Sequence, residues 1–231
     1  MTGKEITINT TDGPFGGYLS VPGSAGGAGI VVIQEIFGIN RFVRAVADRY
    51  AAHGYFALAP DLFWRLEPGV QLDDRNPAEF QRGLDLMGKF NIDLGIKDIE
   101  AAIDHLRGEE HCQRVGAVGY CLGGLLAYLT AARTDVDATV GYYGVNIQEK
   151  LGETANIRKP LMLHIAGKDK FVPPDAQTKV IDGLKANPNV MVHVYPEMDH
   201  AFARIGGEHY DRANAELADG RTATFFRQHL S

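Results

Sequence analysis

Cys121, Asp169 and His200 stand in that order along the chain, each just after an apolar run. Those three side chains can carry out acyl transfer. A thiol attacks a carbonyl carbon once a base takes its proton, and an imidazole is the right base when a carboxylate orients its other ring nitrogen. Cys121 lies in Gly119-Tyr120-Cys121-Leu122-Gly123-Gly124, directly after the apolar Val115-Gly116-Ala117-Val118 and before a helix-like run. This is the pattern of a nucleophile elbow, with sulfur in place of a serine oxygen. The elbow holds its central residue in a strained backbone between strand and helix, and tolerates little side chain two residues to either side. Gly119 and Gly123 meet that demand. The first amides of the following helix would point at the place where negative charge develops on a substrate oxygen. Structural readings exist for each residue. A lone cysteine after a strand can be a small buried hydrophobe, Asp169 can cap the helix starting near Pro174, and His200 can be tied to a backbone carbonyl. The shared order nucleophile, acid, histidine favours the catalytic reading.

The elements expected to position these residues alternate regularly. Glu5–Asn9 and Gly17–Val21 read as strands joined around Thr11-Asp12-Gly13, an antiparallel hairpin. From Ile30 onward, short continuous apolar runs alternate with amphipathic segments, as buried parallel strands and crossover helices do. Strands are expected at Ile30–Gln34, Tyr55–Ala59, Val115–Gly119, Ala138–Tyr142, Leu161–Ala166 and Val190–Tyr195. Helices are expected at Phe42–His53, Pro77–Lys89, Leu94–Leu106, Leu122–Arg133, Pro174–Lys185 and Tyr210–His229. Asp169 and His200 then fall in loops at strand C-termini. The stretch from Pro60 to Asn76 is the one long irregular piece, a length more often functional than structural. One α/β domain over residues 1–231 is expected.

Composition excludes several other classes. Hydrophobic residues make up 45% and charged residues 23%, as in ordinary globular proteins, and the net charge is −6. Lys and Arg are scattered, so neither nucleic acid nor an anionic membrane is an expected partner. The start Met1-Thr2-Gly3-Lys4-Glu5 lacks the apolar core of a signal peptide and no apolar run approaches a membrane span, so a cytoplasmic location is expected. The two cysteines, Cys112 and Cys121, form no CxxC pair. Neither GxGxxG nor GxxxxGK[ST] occurs, and His105 and His111 around Glu109 and Glu110 make no HExxH, so no cofactor and no metal are expected. His164 and His193 read as core or sheet-face residues.

The whole pattern closely resembles the dienelactone hydrolase (carboxymethylenebutenolidase) family of the α/β-hydrolase fold. The residues that carry the likeness are Gln34-Glu35-Ile36-Phe37-Gly38, Ala59-Pro60-Asp61-Leu62, Gly119-Tyr120-Cys121-Leu122-Gly123-Gly124, Gly141-Tyr142-Tyr143-Gly144, Asp169-x-x-Val172-Pro173 and His200-x-Phe202-x-Arg204. The resemblance implies a mostly parallel sheet with helices on both faces and hydrolysis of a small ester or lactone through an acyl-enzyme. It implies Cys121 as nucleophile, His200 as base, Asp169 as its orienter, and the amides of Ile36 and Leu122 as the oxyanion hole. It further implies that Glu35 keeps the resting thiol neutral, although by its position alone Glu35 also reads as a loop carboxylate. Arg204, Phe37 and Tyr142 become substrate contacts. The first of the family's two carboxylate-clamping arginines is replaced by Phe80, and the neighbouring aromatic positions by Leu84 and Met87. Arg82, two residues along a helix from Phe80, would face about 200° away. A broader carboxylesterase or thioesterase, a ligand receptor without turnover, and a redox pair of Cys121 with Cys112 are the competing readings. The expected partner is a small-molecule substrate, and the protein itself a monomer or small homo-oligomer.

Overall fold

The computed structural model describes residues 3–23 and 27–231. Met1 and Thr2, on which the expectation of no signal peptide partly rests, lie outside the described residues. The strands are β1 Lys4–Thr10, β2 Gly13–Ser20, β3 Ala28–Ile33, β4 Phe56–Pro60, β5 Arg114–Tyr120, β6 Ala138–Tyr142, β7 Leu161–Ala166 and β8 Val190–Tyr195. They follow the order β1-β2-β4-β3-β5-β6-β7-β8 in one mixed sheet of the α/β-hydrolase type, with helices on both sides. The chain divides into two compact units, residues 1–117 with Ser231, and residues 118–230.

The N-terminal unit begins with the antiparallel hairpin, in which Thr10 faces Gly13 across the two-residue turn Thr11-Asp12. β2 starts four residues before the expected Gly17, because Gly13-Pro14-Phe15-Gly16 pairs with β1 although its composition reads as a turn. β2 also runs antiparallel to β4, and β3 runs parallel to β4. Every residue of β3 is buried, which accounts for its unbroken apolar sequence. Helix α1, Arg41–Ala52, buries Phe42, Val43, Val46, Ala47, Tyr50 and Ala51 along one stripe. Its first amides are satisfied by Asn40, whose Oδ1 accepts from Phe42 and Val43 at 3.1 and 3.2 Å. Helix α2, Pro77–Lys89, is capped by Asn76 and buries only Gly83 and Leu86. Helix α3, Ile92–Gly108, packs on β1, β3 and β4.

The long loop after β4 is ordered by one buried carboxylate. Asp61 accepts from the amides of Gly69 and Phe63 at 2.7 and 3.1 Å, and burial holds its pKa above the usual carboxylate range against those two bonds. The loop then returns to the residues after β3, where the Leu72 amide donates to the Phe37 carbonyl and Gly38 bridges Gln71. Gly38 has φ +71, and a Cβ there would lie 1.9 Å from the Val70 carbonyl oxygen. Only glycine serves both needs. Cys112 is also part of this unit, buried against Gly29, and burial pushes its thiol up to about 11.

The C-terminal unit holds α4 Leu122–Arg133, α5 Pro174–Leu184 and α6 Arg212–Leu230. α4 is buried on nearly all sides and packs on β6, as its uninterrupted apolar sequence requires. β6, β7 and β8 run parallel in succession, with Thr139 beside Leu161 and Leu161 beside Val190. A 3-10 helix at Ile147–Asn156 was not expected from the sequence. It buries only Ile147 and begins at Asn146 with φ 58, so it leaves no helical period to read. α6 packs on β6 and β7 through Ala215, Ala218, Thr222, Phe225, Phe226 and Leu230.

Candidate active site

Cys121 is the turn residue between β5 and α4, with φ 56 and ψ −114. A non-glycine residue with positive φ is held there only by its surroundings, and those surroundings are specific. The Cys121 amide donates to the Tyr142 carbonyl at 3.1 Å, and its own carbonyl accepts from Gly124 at 2.9 Å. A Cβ on Gly119 would sit 1.9 Å from the Gly123 carbonyl oxygen, and one on Gly124 would meet the Gly144 Cα at 2.6 Å. The glycines on both sides of the elbow thus permit backbone contacts that any side chain would block. No side chain caps α4, and its start, with Leu122 as the first residue, carries the positive end of the helix dipole.

Asp169 and His200 meet in the same unit. Asp169 Oδ2 lies 2.7 Å from His200 Nδ1, and Asp169 Oδ1 accepts from the Phe171 amide at 2.8 Å. Both carboxylate oxygens are therefore engaged, and Asp169 does not cap α5, whose N-cap Pro173 offers no side-chain bond. A second side-chain hydrogen bond joins His200 to Cys121. The imidazole is fixed by rings as well, with Tyr143 edge-on at 5.0 Å and Phe171 edge-on at 4.9 Å. The His200 amide donates to Asp199 Oδ1 at 2.7 Å, and Asp199 in turn pairs with Lys170 at 3.3 Å. Burial acts to lower the His200 pKa, but the adjoining Cys121 sulfur and Asp169 carboxylate outweigh it and push it up to about 10. A protonated imidazole, held between the Asp169 carboxylate and the Cys121 sulfur, is the state this arrangement favours.

Sequence reasoning did not single out Tyr143 and Phe171. Phe171 follows Asp169 by two residues, and an acceptor that takes the amide two positions on brings that residue's ring with it. Tyr142 needs correction. It is fully buried, and its hydroxyl bonds to Asp219 and Thr222 on α6, so it is held in the packing under β6 rather than presented to a substrate. The strand ends at Tyr142, and the turn at Tyr143, with φ 38, sends the second tyrosine to His200. Arg204 is 9% exposed and follows His200 in a tight loop, its amide bonded to the Ala201 carbonyl at 2.9 Å.

The remaining expected site residues lie in the N-terminal unit. Glu35 and Ile36 are buried just beyond β3, and the Gln34 side chain bridges the Glu35 carbonyl and the Leu62 amide. Phe37 packs against Phe80 with ring centroids 5.8 Å apart. Gly83 on α2 brings that helix close to the Ile36 carbonyl, since a Cβ there would lie 2.8 Å from its oxygen. Leu84 and Met87 sit on α2, exposed and half-buried respectively. Arg82 pairs with Glu67 at the surface. Among the described residues no cluster of His, Cys, Asp or Glu is arranged to hold a metal, and no helix is long and apolar enough to cross a membrane.

Residues 15–230 match the dienelactone hydrolase family. The chain belongs to the dienelactone hydrolase family. A protein of Azospirillum brasilense, provisionally named carboxymethylenebutenolidase, is 49% identical over 225 residues, covering 95% of each chain. A carboxymethylenebutenolidase of Pseudomonas putida is 38% identical over 227 residues, covering 97% of this chain and 96% of its own. Among solved structures, one from Klebsiella pneumoniae, provisionally titled a dienelactone hydrolase, superposes with a TM-score of 0.87 at 26% identity and 98% coverage of both chains. This dienelactone hydrolase family member is accordingly a hydrolase of small molecules.

Proposed function

We propose that the protein hydrolyses small esters or lactones through a covalent thioester on Cys121. The observation that carries this reading is His200, bonded at Nδ1 to Asp169 and also hydrogen-bonded to Cys121. In the first half-reaction His200 holds the thiol proton, the sulfur attacks the carbonyl carbon, and the carbonyl electron pair moves onto oxygen. The Leu122 amide at the start of α4 faces that charge. The C–O bond to the leaving group then breaks, and His200 delivers its proton to the departing alkoxide. In a lactone the alcohol stays tethered to the acyl group. Water next attacks the thioester, giving a proton to His200, and the carboxylic acid leaves as sulfur is released. Glu35 and Ile36 keep the roles that family membership suggests, restraint of the resting thiol and a second oxyanion donor.

The ester range is the open variable, and two residues bear on it. Arg204 can make a charge-assisted bond to a substrate carboxylate, worth about 1.5 to 3 kcal/mol, while Phe80 forms an apolar contact with Phe37 at the position where the family resemblance implies a second arginine. Neutral esters and lactones should therefore be turned over at least as well as dienelactone. A turnover screen over lactones, aryl esters and thioesters tests the activity, and a matched neutral and anionic ester pair tests the range. Arg204→Met should lower kcat/KM for the anionic member by roughly 10- to 100-fold and spare the neutral one. Equal losses on both would remove Arg204 from substrate recognition, and no turnover of any ester, lactone or thioester would overturn the reading.

A further inference from the structure

Beneath the elbow, β6, β7, β8 and α6 share a buried line of hydrogen bonds that the chemistry above does not use. Arg221 Nη1 donates to the Tyr195 hydroxyl at 3.1 Å, and that hydroxyl lies 2.9 Å from His164 Nδ1. His164 Nε2 lies 3.0 Å from the Thr222 hydroxyl, which lies 2.7 Å from the Tyr142 hydroxyl. Tyr142 reaches Asp219 Oδ1 at 3.1 Å.

The two ends impose one direction on the line. A guanidinium only donates and a carboxylate only accepts, while each hydroxyl has a single hydrogen. Tyr142 gives its hydrogen to Asp219, so it accepts from Thr222. Thr222 has then spent its hydrogen and accepts from His164 Nε2–H. His164 is left with a bare Nδ1, which accepts from Tyr195, whose oxygen in turn takes the Arg221 hydrogen. Every link is satisfied only if His164 is neutral and in this tautomer. Burial, with His193 and Arg221 nearby, holds the ring neutral far below its ordinary titration range.

The line touches the reacting groups at two points. The Tyr142 carbonyl accepts the Cys121 amide at 3.1 Å, and the His164 carbonyl accepts the Tyr143 amide at 2.8 Å. The first bond restrains the strained residue that carries the sulfur, and the second sets the turn that lays Tyr143 against His200. We propose that Thr222 and His164 are positioning residues for the Cys121–His200 pair, acting through Tyr142 and Tyr143. The proposal rests on the reading of Cys121 and His200 as nucleophile and base. Thr222 lies on α6, away from the elbow in sequence, and holds the line at its centre.

The test is Thr222→Val against Thr222→Ser. Valine keeps the shape and removes the hydroxyl that joins His164 to Tyr142, whereas serine keeps the hydroxyl. Well below the unfolding midpoint, Thr222→Val should lower kcat roughly tenfold with KM within about twofold, because a small displacement of reacting groups acts on the chemical step. It should also change the rate of Cys121 alkylation by iodoacetamide, and Thr222→Ser should recover both quantities. Wild-type kcat and alkylation in Thr222→Val, or equal impairment in Thr222→Ser, would overturn the proposal. If Thr222→Val does not fold, Tyr142→Phe cuts the next link while keeping the ring stacked on Tyr120 at 4.8 Å, and a wild-type kcat there would be equally decisive. Cys121→Ala run in parallel separates the two ideas. If it retains turnover, the nucleophile reading fails, while the alkylation rates still report whether the line sets the sulfur's position.

Discussion

Cys121→Ala should abolish ester and lactone turnover, with kcat lower by on the order of 10⁴-fold or more, while the protein stays folded. The expectation follows from the bond between the Cys121 thiol and His200, the ring that Asp169 orients. Folding should survive because the elbow is held by its backbone, through the bonds to Tyr142 and Gly124, and a methyl group occupies less space than the thiol. Some stability will be lost to relief of fewer contacts, but alanine accepts positive φ no worse than cysteine does. Steady-state kinetics with a chromogenic ester, alongside circular dichroism, checks both halves. Appreciable residual turnover in a homogeneous sample would remove Cys121 from the chemistry and favour a water-attack mechanism. Wild-type turnover in Cys112→Ala would separately rule against a redox pair.

His200→Ala should cost roughly 10²- to 10⁴-fold in kcat, and Asp169→Asn a loss near the upper end of that range. The asparagine variant is the more informative. Asp169 holds His200 through one oxygen and the Phe171 amide through the other, and an amide group cannot accept at both positions. Either the ring or the loop that carries Phe171 must then shift. The pH behaviour gives a second measurement. The folded-state pKa of His200 is raised, so its contribution to stability is fully present below about 6.5 and is lost as pH rises through about 10. The stability difference between wild type and His200→Ala should therefore be largest below about pH 6.5, shrink as pH rises from there, and be gone above about pH 10. In Cys121→Ala the sulfur's share of that shift is gone, and the ring should release its proton at lower pH, as an NMR titration of the imidazole would show. A ring that titrates identically in both proteins would contradict the close coupling of sulfur and imidazole.

What could be read from the sequence depended on how locally each feature is encoded. The elbow is local, since Gly119, Cys121 and Gly123 lie within a few residues of one another and the backbone contacts they permit are equally close. Helices α2 and α4 begin and end where Pro77, Lys89, Leu122 and Arg133 indicate, because their caps and apolar stripes are also local. The start of β2 was hidden because its pairing with β1 overrides a turn-like composition at Gly13-Pro14. Tyr142 and Tyr143 could not be told apart by motif. Their different fates are set by a single positive φ and by partners on α6 some eighty residues further along the chain. The hydrogen-bonded line through His164 was out of reach for the same reason. The sequence reads His164 and His193 as core or sheet-face residues, but nothing near them names Thr222 or Tyr195 as partners.

The burial of Cys112 has a practical consequence. With its thiol pushed up to about 11, only about a thousandth of Cys112 is ionised at pH 8, and its packing against Gly29 bars a bulky reagent. A disulfide reagent added to the native protein should therefore consume one equivalent, at Cys121, and two once the protein is unfolded. The native reading, taken per mole of chain, gives the fraction of molecules in any preparation whose Cys121 sulfur is free, so that oxidised material can be discounted before any rate is compared.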